Sequence, residues 1–162
     1  MIIDKIHRDY IVHNGVNIKG FFGDYRFLSN FHECPVMYEG VIYPSSENAY
    51  MAAKTRDLEA RRAFETMSPK EAKLAGRIIP LREDWDLVKI SIMREIIFDK
   101  FSRNLDIRER LLQTGDAYLE ETNHWGDIVW GVCDGIGNNL LGKILMDTRA
   151  YWKNSFDNSK LF

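Results

Sequence analysis

The sequence has 162 residues, which is the size of one domain at about 150 residues per domain. Hydrophobic residues make up 45%, charged residues 28% and aromatic residues 12%, and this composition excludes disordered, collagen-like and low-complexity proteins. A net charge of −2 lacks the basic excess of a protein that grips nucleic acid indiscriminately. We therefore expect a single globular domain over residues 1–162, with its core at about 18–152 and a loosely held tail at 153–162.

The sequence also bears on location and redox state. No apolar run reaches the roughly 20 residues of a membrane span, and the opening MIIDKIHRDY has charges where a signal peptide needs its apolar stretch. Cys34 and Cys133 lie far apart and show no disulfide or zinc spacing. We predict a cytoplasmic protein without membrane contact, in which both cysteines are reduced and buried.

The first elements in chain order are a hairpin and three helices. Strands at Val36 to Tyr43 are predicted to meet at a Glu39-Gly40 turn. Ser46 is then predicted to cap a helix that begins at Glu47 and runs through the Ala52-Ala53 pair. Helical signals continue over 57–67, and Ser68-Pro69-Lys70-Glu71 is a capping box with proline at the first helical position.

The second half adds a long helix, a strand and two further helices. A helix after Asp84 is predicted to bury apolar residues at three- and four-residue steps: Leu87, Ile90, Met93, Ile97 and Phe101. A helix over 106–113 is closed by Gly115, a strand is predicted at 128–132, and a last helix over 139–152 buries Leu141, Ile144 and Leu145. Strands and helices that do not alternate as βαβ units indicate an α+β fold, mainly helical with a small β-sheet.

Glu47, Tyr50, Met51 and Lys54 recur at helical steps, which places an acid, a phenol and an amine along one stripe. That pattern is compatible with acid–base chemistry. It is also compatible with Glu47 complementing the helix dipole while Lys54 is a solvated side chain, and spacing alone favours this structural interpretation.

The segment from Asp127 to Asp134 is followed by Gly135-Ile136-Gly137-Asn138-Asn139 and a helix. Glycines allow the backbone to approach an anion, and free N–H groups at a helix start can bind phosphate. The pattern matches neither a dinucleotide fingerprint nor a Walker A loop nor a calcium loop. The alternative is an ordinary turn and helix cap.

Phe27-Leu28-Ser29-Asn30-Phe31 holds a polar Ser-Asn pair between aromatic residues, which suits a site that stacks a ring and hydrogen-bonds its edge, or a plain turn. The four histidines show no metal-ligand spacing, and there is no G-x-S-x-G motif. We expect neither a metal nor another cofactor.

Six motifs in order resemble the NADAR family, also called YbiA-like proteins. They span roughly residues 21–152: FLSNF at 27–31, the Ser46-Glu47…Tyr50…Ala52…Lys54 helix start, KEAKLAGR at 70–77, KFSRN at 100–104, Asp127-x-x-Trp130-Gly131, and Gly137-x-Asn139-x-Leu141-Gly142-x-x-Leu145-Met146. The resemblance implies an α+β domain that binds phosphorylated ribosides and ADP-ribose-like ligands. It also implies an N-glycosidase acting on riboflavin-pathway intermediates or on ADP-ribose attached to guanine in nucleic acid.

By position, the resemblance assigns catalytic roles to Glu47, Lys54 and Asp134. Glu47 would stabilise the oxocarbenium ion or activate water, Lys54 would capture the opened sugar as a Schiff base, and Asp134 would hold a ribose hydroxyl. The predicted substrate-binding residues are Asn30, Phe31, Tyr50, Trp130, Gly131, Gly137 and Asn139.

The sequence departs from the family at Asn48, Ala49 and Met51, where His, an aromatic residue and Gln are common, which puts substrate choice in question. The predicted partner is a small phosphorylated riboside or ADP-ribosylated nucleic acid, for which a basic cluster is a weak hint: Arg56, Arg61, Arg62, Lys70, Lys73 and Arg77. The oligomeric state is left open. A module that binds ADP-ribose without cleaving it, and a purely structural interaction protein, are the alternatives.

Overall fold

The computed structural model describes residues 17–160, and the predicted domain begins and ends outside this range. Its strands are β1 Asn17–Lys19, β2 Glu33–Tyr38, β3 Val41–Ser45, β4 Tyr118–Glu120, β5 Thr122–Asn123 and β6 Val132–Cys133. Its α-helices are α1 Ser46–Ala52, α2 Leu58–Arg62, α3 Pro69–Gly76, α4 Trp85–Arg103, α5 Leu105–Gln113 and α6 Leu140–Ser159, with 3-10 turns at Gly23–Leu28 and Ala63–Glu65. The predicted α+β class is confirmed. Within the described range no helix is both long and apolar enough to cross a membrane.

The described chain forms two compact units. One contains residues 30–105 and the other contains residues 17–29 with 106–160. In the 30–105 unit, the antiparallel β2–β3 hairpin packs against α1 and α4, and α1 also packs against α3. In the other unit, β1 pairs with β4 and β5 pairs with β6, both in parallel, and α6 packs against β4.

The hairpin turns where the sequence predicts. Glu39 and Gly40 have φ angles of 45° and 80°, and two consecutive positive φ angles form the type I′ turn that suits the twist of paired strands. Glycine reaches this conformation without strain, because it has no Cβ.

The helix after the hairpin begins one residue earlier than predicted. Ser45, not Ser46, is the N-cap of α1, and its side chain accepts a hydrogen bond from the amide of Asn48. Every residue of α1 is buried, as expected of a helix enclosed on all sides.

The next helices are confirmed in part. Asp57 caps α2, but the predicted helix over 57–67 is interrupted, since α2 ends at Arg62 and a 3-10 turn follows. The capping box of α3 is confirmed: the Ser68 side chain accepts the Glu71 amide, and the Glu71 carboxylate accepts the Ser68 amide.

The buried face of α4 differs from the predicted one. Met93, Ile97 and Phe101 are buried as expected, whereas Leu87 is 88% exposed and Ile90 is 40% exposed. The face is completed instead by Trp85, Ile92, Ile96 and Lys100. At about 100° per residue, Leu87 lies roughly 140° around the helix from Lys100, outside that face.

The C-terminal half contains one confirmed helix and two corrections. α5 ends as predicted before Gly115, which has a φ of 62°. α6 buries Leu141, Ile144 and Leu145 as predicted but continues past Trp152 to Ser159. The predicted strand over 128–132 is reduced to Val132–Cys133, because the Asp127 carboxylate accepts the amides of residues 129 and 130 and bends the chain there.

The prediction for the cysteines is half correct. Cys34 and Cys133 are free thiols, but both are partly exposed and not buried. Each lies on a short strand at the surface of its unit, where one strand face meets solvent.

Candidate active site

Asn30 fastens the start of α1 within the 30–105 unit. Its backbone carbonyl accepts the amide of Glu47 at 3.0 Å, and its Oδ1 accepts the Ser46 hydroxyl at 3.0 Å. Its Nδ2 lies 3.7 Å from the Met93 sulfur. Asn30 therefore fixes the backbone that carries Glu47, and its predicted contact with substrate stays a prediction.

Glu47 lies in the first turn of α1 and is only 7% exposed. A buried carboxylate is costly unless neighbouring groups stabilise it. The Lys54 amine is such a group, because the charge of the Glu47 carboxylate raises the pKa of Lys54. The two groups are thus brought together, although α1 ends at Ala52 and Lys54 lies in the turn that follows, not on the predicted helical stripe.

Lys54 contacts two surrounding helices, α3 and α4. Its Nζ donates a hydrogen bond to the carbonyl of Gly76 at 3.1 Å and lies 6.0 Å from the centre of the Trp85 ring. The Tyr50 ring packs against the same tryptophan, with 5.1 Å between ring centres. Burial lowers the pKa of Lys54 below its ordinary value of 10.5, Glu47 opposes that shift, and Arg77 adds to it.

Phe31 borders the same part of the unit. The Nζ of Lys73, on α3, lies 5.5 Å from the centre of the Phe31 ring, a distance at which a cation and an aromatic face attract each other. The structure thus gives Phe31 a cationic neighbour, and its predicted contact with substrate is untested.

Two residues that depart from the family have structural roles. Asn48 Nδ2 donates to the carbonyls of Phe64 and Met67 at 2.9 and 2.8 Å, and its Oδ1 accepts the Ser45 hydroxyl at 2.5 Å. The Met51 sulfur fills the space over Gly76, where an added Cβ would lie 2.1 Å from it. These side chains set the spacing of the helices that surround Lys54.

Trp85 and Arg77 are neighbours of Lys54 that are missing from the predicted site residues. From the sequence, Trp85 is predicted only to lie near the start of the long helix, and Arg77 only to belong to the basic cluster. Their approach to Lys54 depends on how α3 and α4 pack around α1, and no local spacing reports such packing.

The other predicted residues lie in the second unit. Trp130 is partly exposed and follows the turn that Asp127 closes, with the Trp130 amide 2.9 Å from Asp127 Oδ1. Asp134 is exposed at the loop tip with a φ of 50°. Their predicted contacts with substrate stay predictions.

The amides at the start of α6, which the sequence offers for phosphate or for an ordinary turn, have backbone partners in this structure. The amides of residues 138, 139, 140 and 141 donate to the carbonyls of Ile128, Gly131, Val129 and Trp130, respectively, over 2.8 to 3.2 Å. Helix-start amides bind an anion only when they lack such partners. These amides close a loop instead.

Asn139, which the sequence predicts to bind substrate, has a structural role in this unit. It is 1% exposed and adopts a left-handed backbone with φ 52°. Its Oδ1 accepts the Glu121 amide at 3.0 Å, and its Nδ2 donates to the Leu119 carbonyl at 2.9 Å and the Tyr118 hydroxyl at 3.1 Å. Both ends of the amide are therefore occupied within the unit.

Two predicted glycines are explained by close backbone approach. A Cβ on Gly131 would lie 2.2 Å from the Glu121 carbonyl oxygen, and one on Gly137 would lie 2.2 Å from the Gly131 carbonyl oxygen. Gly137 also has a φ of 151°, which other residues rarely adopt. Both glycines allow the loop to close.

The predicted residues thus form two sets. Asn30, Phe31, Glu47, Tyr50 and Lys54 belong to the 30–105 unit, whereas Trp130, Gly131, Asp134, Gly137 and Asn139 belong to the loop of the other unit. Among residues 17–160, no three histidine, cysteine, aspartate or glutamate side chains converge into a group that can hold a metal ion. The first set combines a buried carboxylate, an amine and aromatic walls, and it is the candidate active site.

Comparison with known proteins agrees with the sequence motifs. Residues 20–152 match the NADAR domain model. The chain is 35% identical over 138 residues to N-glycosidase YbiA of Escherichia coli (strain K12), covering 83% of this chain and 86% of that protein. It is 38% identical over 137 residues to N-glycosidase Npun_R5314 of Nostoc punctiforme, covering 80% of this chain and 87% of that protein.

A third relative is much longer. The chain is 36% identical over 129 residues to riboflavin biosynthesis protein VVA0006 of Vibrio vulnificus, covering 76% of this chain but only 34% of that protein. The fold resembles the NMR structure of E. coli YbiA, with a TM-score of 0.76, 33% identity, and coverage of 86% of this chain and 85% of that one. The resemblance drawn from the motifs is confirmed, and this chain belongs to the NADAR family.

Proposed function

We propose that this protein is an N-glycosidase that hydrolyses the bond between a base and the ribose of a phosphorylated riboside. Two relatives are named N-glycosidases, and a third is named a riboflavin biosynthesis protein. The observation that carries the proposal is the buried Glu47 carboxylate, whose charge raises the pKa of Lys54, together with the Trp85 ring that lies 6.0 Å from the Lys54 amine.

Glu47 performs the central step. As the bond between the anomeric carbon and the base nitrogen breaks, its electron pair leaves with the base and positive charge develops on the sugar. A carboxylate held in a buried site stabilises that charge, because few water molecules are present to screen it. A water molecule then adds to the anomeric carbon and gives a proton to Glu47, which passes it to the departed base.

Lys54 offers a second route for the same reaction. A lysine amine is nucleophilic only when neutral, and a lowered pKa increases the neutral fraction. The neutral amine attacks the anomeric carbon, the ring oxygen takes the electron pair of its bond to that carbon and the ring opens, and the base then leaves with the electron pair of its bond and a proton from the amine. The resulting Schiff base is hydrolysed by water, which frees the sugar and Lys54. Burial lowers the pKa of Lys54 in the direction that this route needs.

Two substrate classes fit the proposal. Early riboflavin-pathway intermediates carry a ribose 5-phosphate, and ADP-ribosylated guanine carries a diphosphate; both contain a base–ribose N-glycosidic bond. The name of the Vibrio relative favours the first class. The net charge of −2 also favours a small molecule over a duplex.

The test is mass spectrometry of released base after the protein is mixed with each substrate class. We expect release from one class, and a loss of about 100-fold or more in Glu47→Gln. Glu59→Gln is the matched control, because Glu59 is an 83% exposed acid on α2. Circular dichroism checks that both variants fold.

Full activity of a folded Glu47→Gln variant would show that this acid is not catalytic. Melting temperatures raised by ADP-ribose, without release of base from any substrate, would assign a binding module in place of an enzyme.

A further inference from the structure

Arg61 is a buried cation in the 30–105 unit. The sequence places it in the basic cluster that hints at nucleic acid, but only 5% of the residue is exposed. An arginine is seldom buried this fully unless its guanidinium has partners. The neighbouring Arg62, whose side chain is 73% exposed and pairs with Glu59, shows the more common arrangement. The contacts of Arg61 therefore need an explanation.

The Arg61 guanidinium joins the hairpin to the segment after α1. Its Nη1 donates to the carboxylate of Glu39 at the hairpin turn, and its Nε donates to the carbonyl of Thr55 at 2.7 Å. Its Cζ lies 5.3 Å from the centre of the Tyr38 ring, within the range of a cation–π contact. The hydrogen bond from Arg61 also lowers the pKa of Glu39, which favours the charged carboxylate.

Thr55 directly follows Lys54 in the connection between α1 and α2, and the carbonyls of both residues are held. The Lys54 carbonyl accepts the amide of Arg82 at 2.7 Å, and the Thr55 carbonyl accepts Arg61 Nε. Thr55 is only 8% exposed. A buried carbonyl that loses its donor costs free energy, so the chain around it rearranges to find another. Arg61 therefore fixes the backbone one residue away from Lys54.

Glu39 occupies a backbone position that suits other residues better. It has a φ of 45° in the type I′ turn, where asparagine, aspartate and glycine are the preferred residues. Glutamate, however, has a longer side chain, and its carboxylate reaches the Arg61 guanidinium. A charge-assisted hydrogen bond of this kind is about twice as strong as a neutral one, which offsets the unfavourable φ angle.

We propose that Arg61, held by Glu39, is a positioning residue that determines where the Lys54 amine lies during the reaction. The proposal rests on the proposed function, because it concerns the same site. Lys54 Nζ lies 3.1 Å from the carbonyl oxygen of Gly76, and a shift of its backbone would move the amine away from that place. A displacement of about 1 Å can reduce a catalytic rate about 100-fold. Arg61 acts through the Thr55 carbonyl and not on the reacting atoms.

The pH titration of the Lys54 Cε resonance, followed by NMR on the whole chain, tests the positioning without requiring catalysis. Burial is the largest cause of the lowered pKa of Lys54, so an amine that leaves its place should titrate closer to 10.5. We expect this shift in Arg61→Gln. Arg61→Lys should recover only part of the natural pKa, because one ammonium does not replace the two nitrogens that reach Glu39 and Thr55.

Glu39→Asn tests the same link from the surface. The Glu39 side chain is 53% exposed, so its replacement opens no space in the core, and Asn-Gly is a preferred sequence for a type I′ turn. The hairpin should therefore form while the carboxylate that holds Arg61 is lost. We expect the pKa of Lys54 to rise, as in Arg61→Gln. An unchanged pKa of Lys54 in the folded Glu39→Asn variant would overturn the proposal, even if Arg61→Gln did not fold.

Two control variants separate positioning from general stability. Arg62→Gln changes the adjacent, exposed arginine. Ile97→Val removes one buried carbon atom about 18 Å along α4 from Trp85 and should lower the melting temperature. We expect the pKa of Lys54 to be natural in both. A shift in Ile97→Val as large as that in Arg61→Gln would overturn the proposal, because lost stability alone would then explain it.

Release of base distinguishes this proposal from the N-glycosidase itself. We expect Arg61→Gln to lower kcat about 10-fold to 100-fold and to leave KM nearly unchanged, since the lost contact orients the amine and does not bind substrate. A natural chain that releases no base, with a Lys54 pKa that still depends on Arg61, would contradict the N-glycosidase and sustain the link. Base release at the full rate in a folded Arg61→Gln variant would overturn the positioning role and leave the N-glycosidase standing.

Discussion

Three influences set the pKa of Lys54, and they do not all act in the same direction. Burial lowers its pKa, the Glu47 carboxylate raises it, and the Arg77 guanidinium lowers it again. Because the folded state favours the neutral amine, the unfolded chain binds more protons between the lowered pKa and 10.5. The contribution of Lys54 to stability therefore rises as pH rises through that interval.

Single substitutions should move the pKa of Lys54 in opposite directions. Glu47→Gln removes the negative charge and should lower the pKa further, whereas Arg77→Gln removes the positive charge and should raise it toward 10.5. The measurement is the pH titration of the Lys54 Cε resonance by NMR. Arg62→Gln should leave the titration unchanged, and a shift of the same sign in the first two variants would contradict the arrangement.

Part of the site could be predicted from individual residues. Glu47, Tyr50 and Lys54 were identified by spacing and by resemblance, and the structure brings them together. Arg77 and Trp85 were not, because their contact with Lys54 arises from the packing of distant segments. The buried contacts of Asn139 could not be predicted for a related reason. Its partners Tyr118, Leu119 and Glu121 lie about 20 residues away, and a Gly-Asn cluster before a helix is compatible with both a ligand loop and a buried turn.

Among the elements, the loop before α6 depends on Asn139. Its buried side chain satisfies the Glu121 amide and the Leu119 carbonyl, and its left-handed backbone turns the chain into the helix. Asparagine adopts that conformation more readily than most residues. One side chain thus connects β4, the residue before β5, and the start of α6.

Asn139→Ala should lower the free energy of unfolding by about 2–4 kcal/mol, because two buried backbone groups lose their partners. Urea denaturation gives that quantity. The control is Asn138→Ala: the neighbouring Asn138 is exposed, its backbone bond to Ile128 does not depend on its side chain, and we expect a change within about 0.5 kcal/mol. Equal stability of the two variants would show that Asn139 does not hold the loop.

Local signals predicted the elements well where the chemistry is itself local. The Glu39-Gly40 turn and the Ser68–Glu71 capping box depend on residues within four positions, and both are confirmed. Which face of α4 is buried, in contrast, depends on residues that are distant in the sequence. Leu87 is apolar and correctly spaced, yet it is exposed, because the faces that other elements cover are decided by the tertiary fold.

At the scale of the whole molecule, the charge balance is the clearest property. The chain carries 22 basic and 24 acidic residues. A protein that binds DNA through its phosphates needs clustered basic charge and shows a steep dependence on salt.

Unmodified duplex DNA should therefore bind only weakly. We expect no saturable binding below about 100 μM at 0.15 M salt, which is weaker than the dissociation constants of about 1–100 μM typical of non-specific DNA binding, when labelled DNA is followed by fluorescence anisotropy. Tight binding that falls steeply with added salt would contradict this expectation and would favour a nucleic-acid substrate. A protein with a strong basic excess serves as the positive control for the labelled DNA.

The loop between residues 128 and 141 has a base that is fixed by hydrogen bonds and a tip that is exposed. Hydrogen bonds from the amides of residues 138–141 to the carbonyls of residues 128–131 fix the base, whereas the tip turns at Asp134 and Gly135, both exposed. Residues inserted at that tip would leave every closing bond in place and keep Trp130 where it is. Natural variation in loop length is therefore expected at residues 134–135, and relatives could acquire new surface contacts there while retaining the same scaffold.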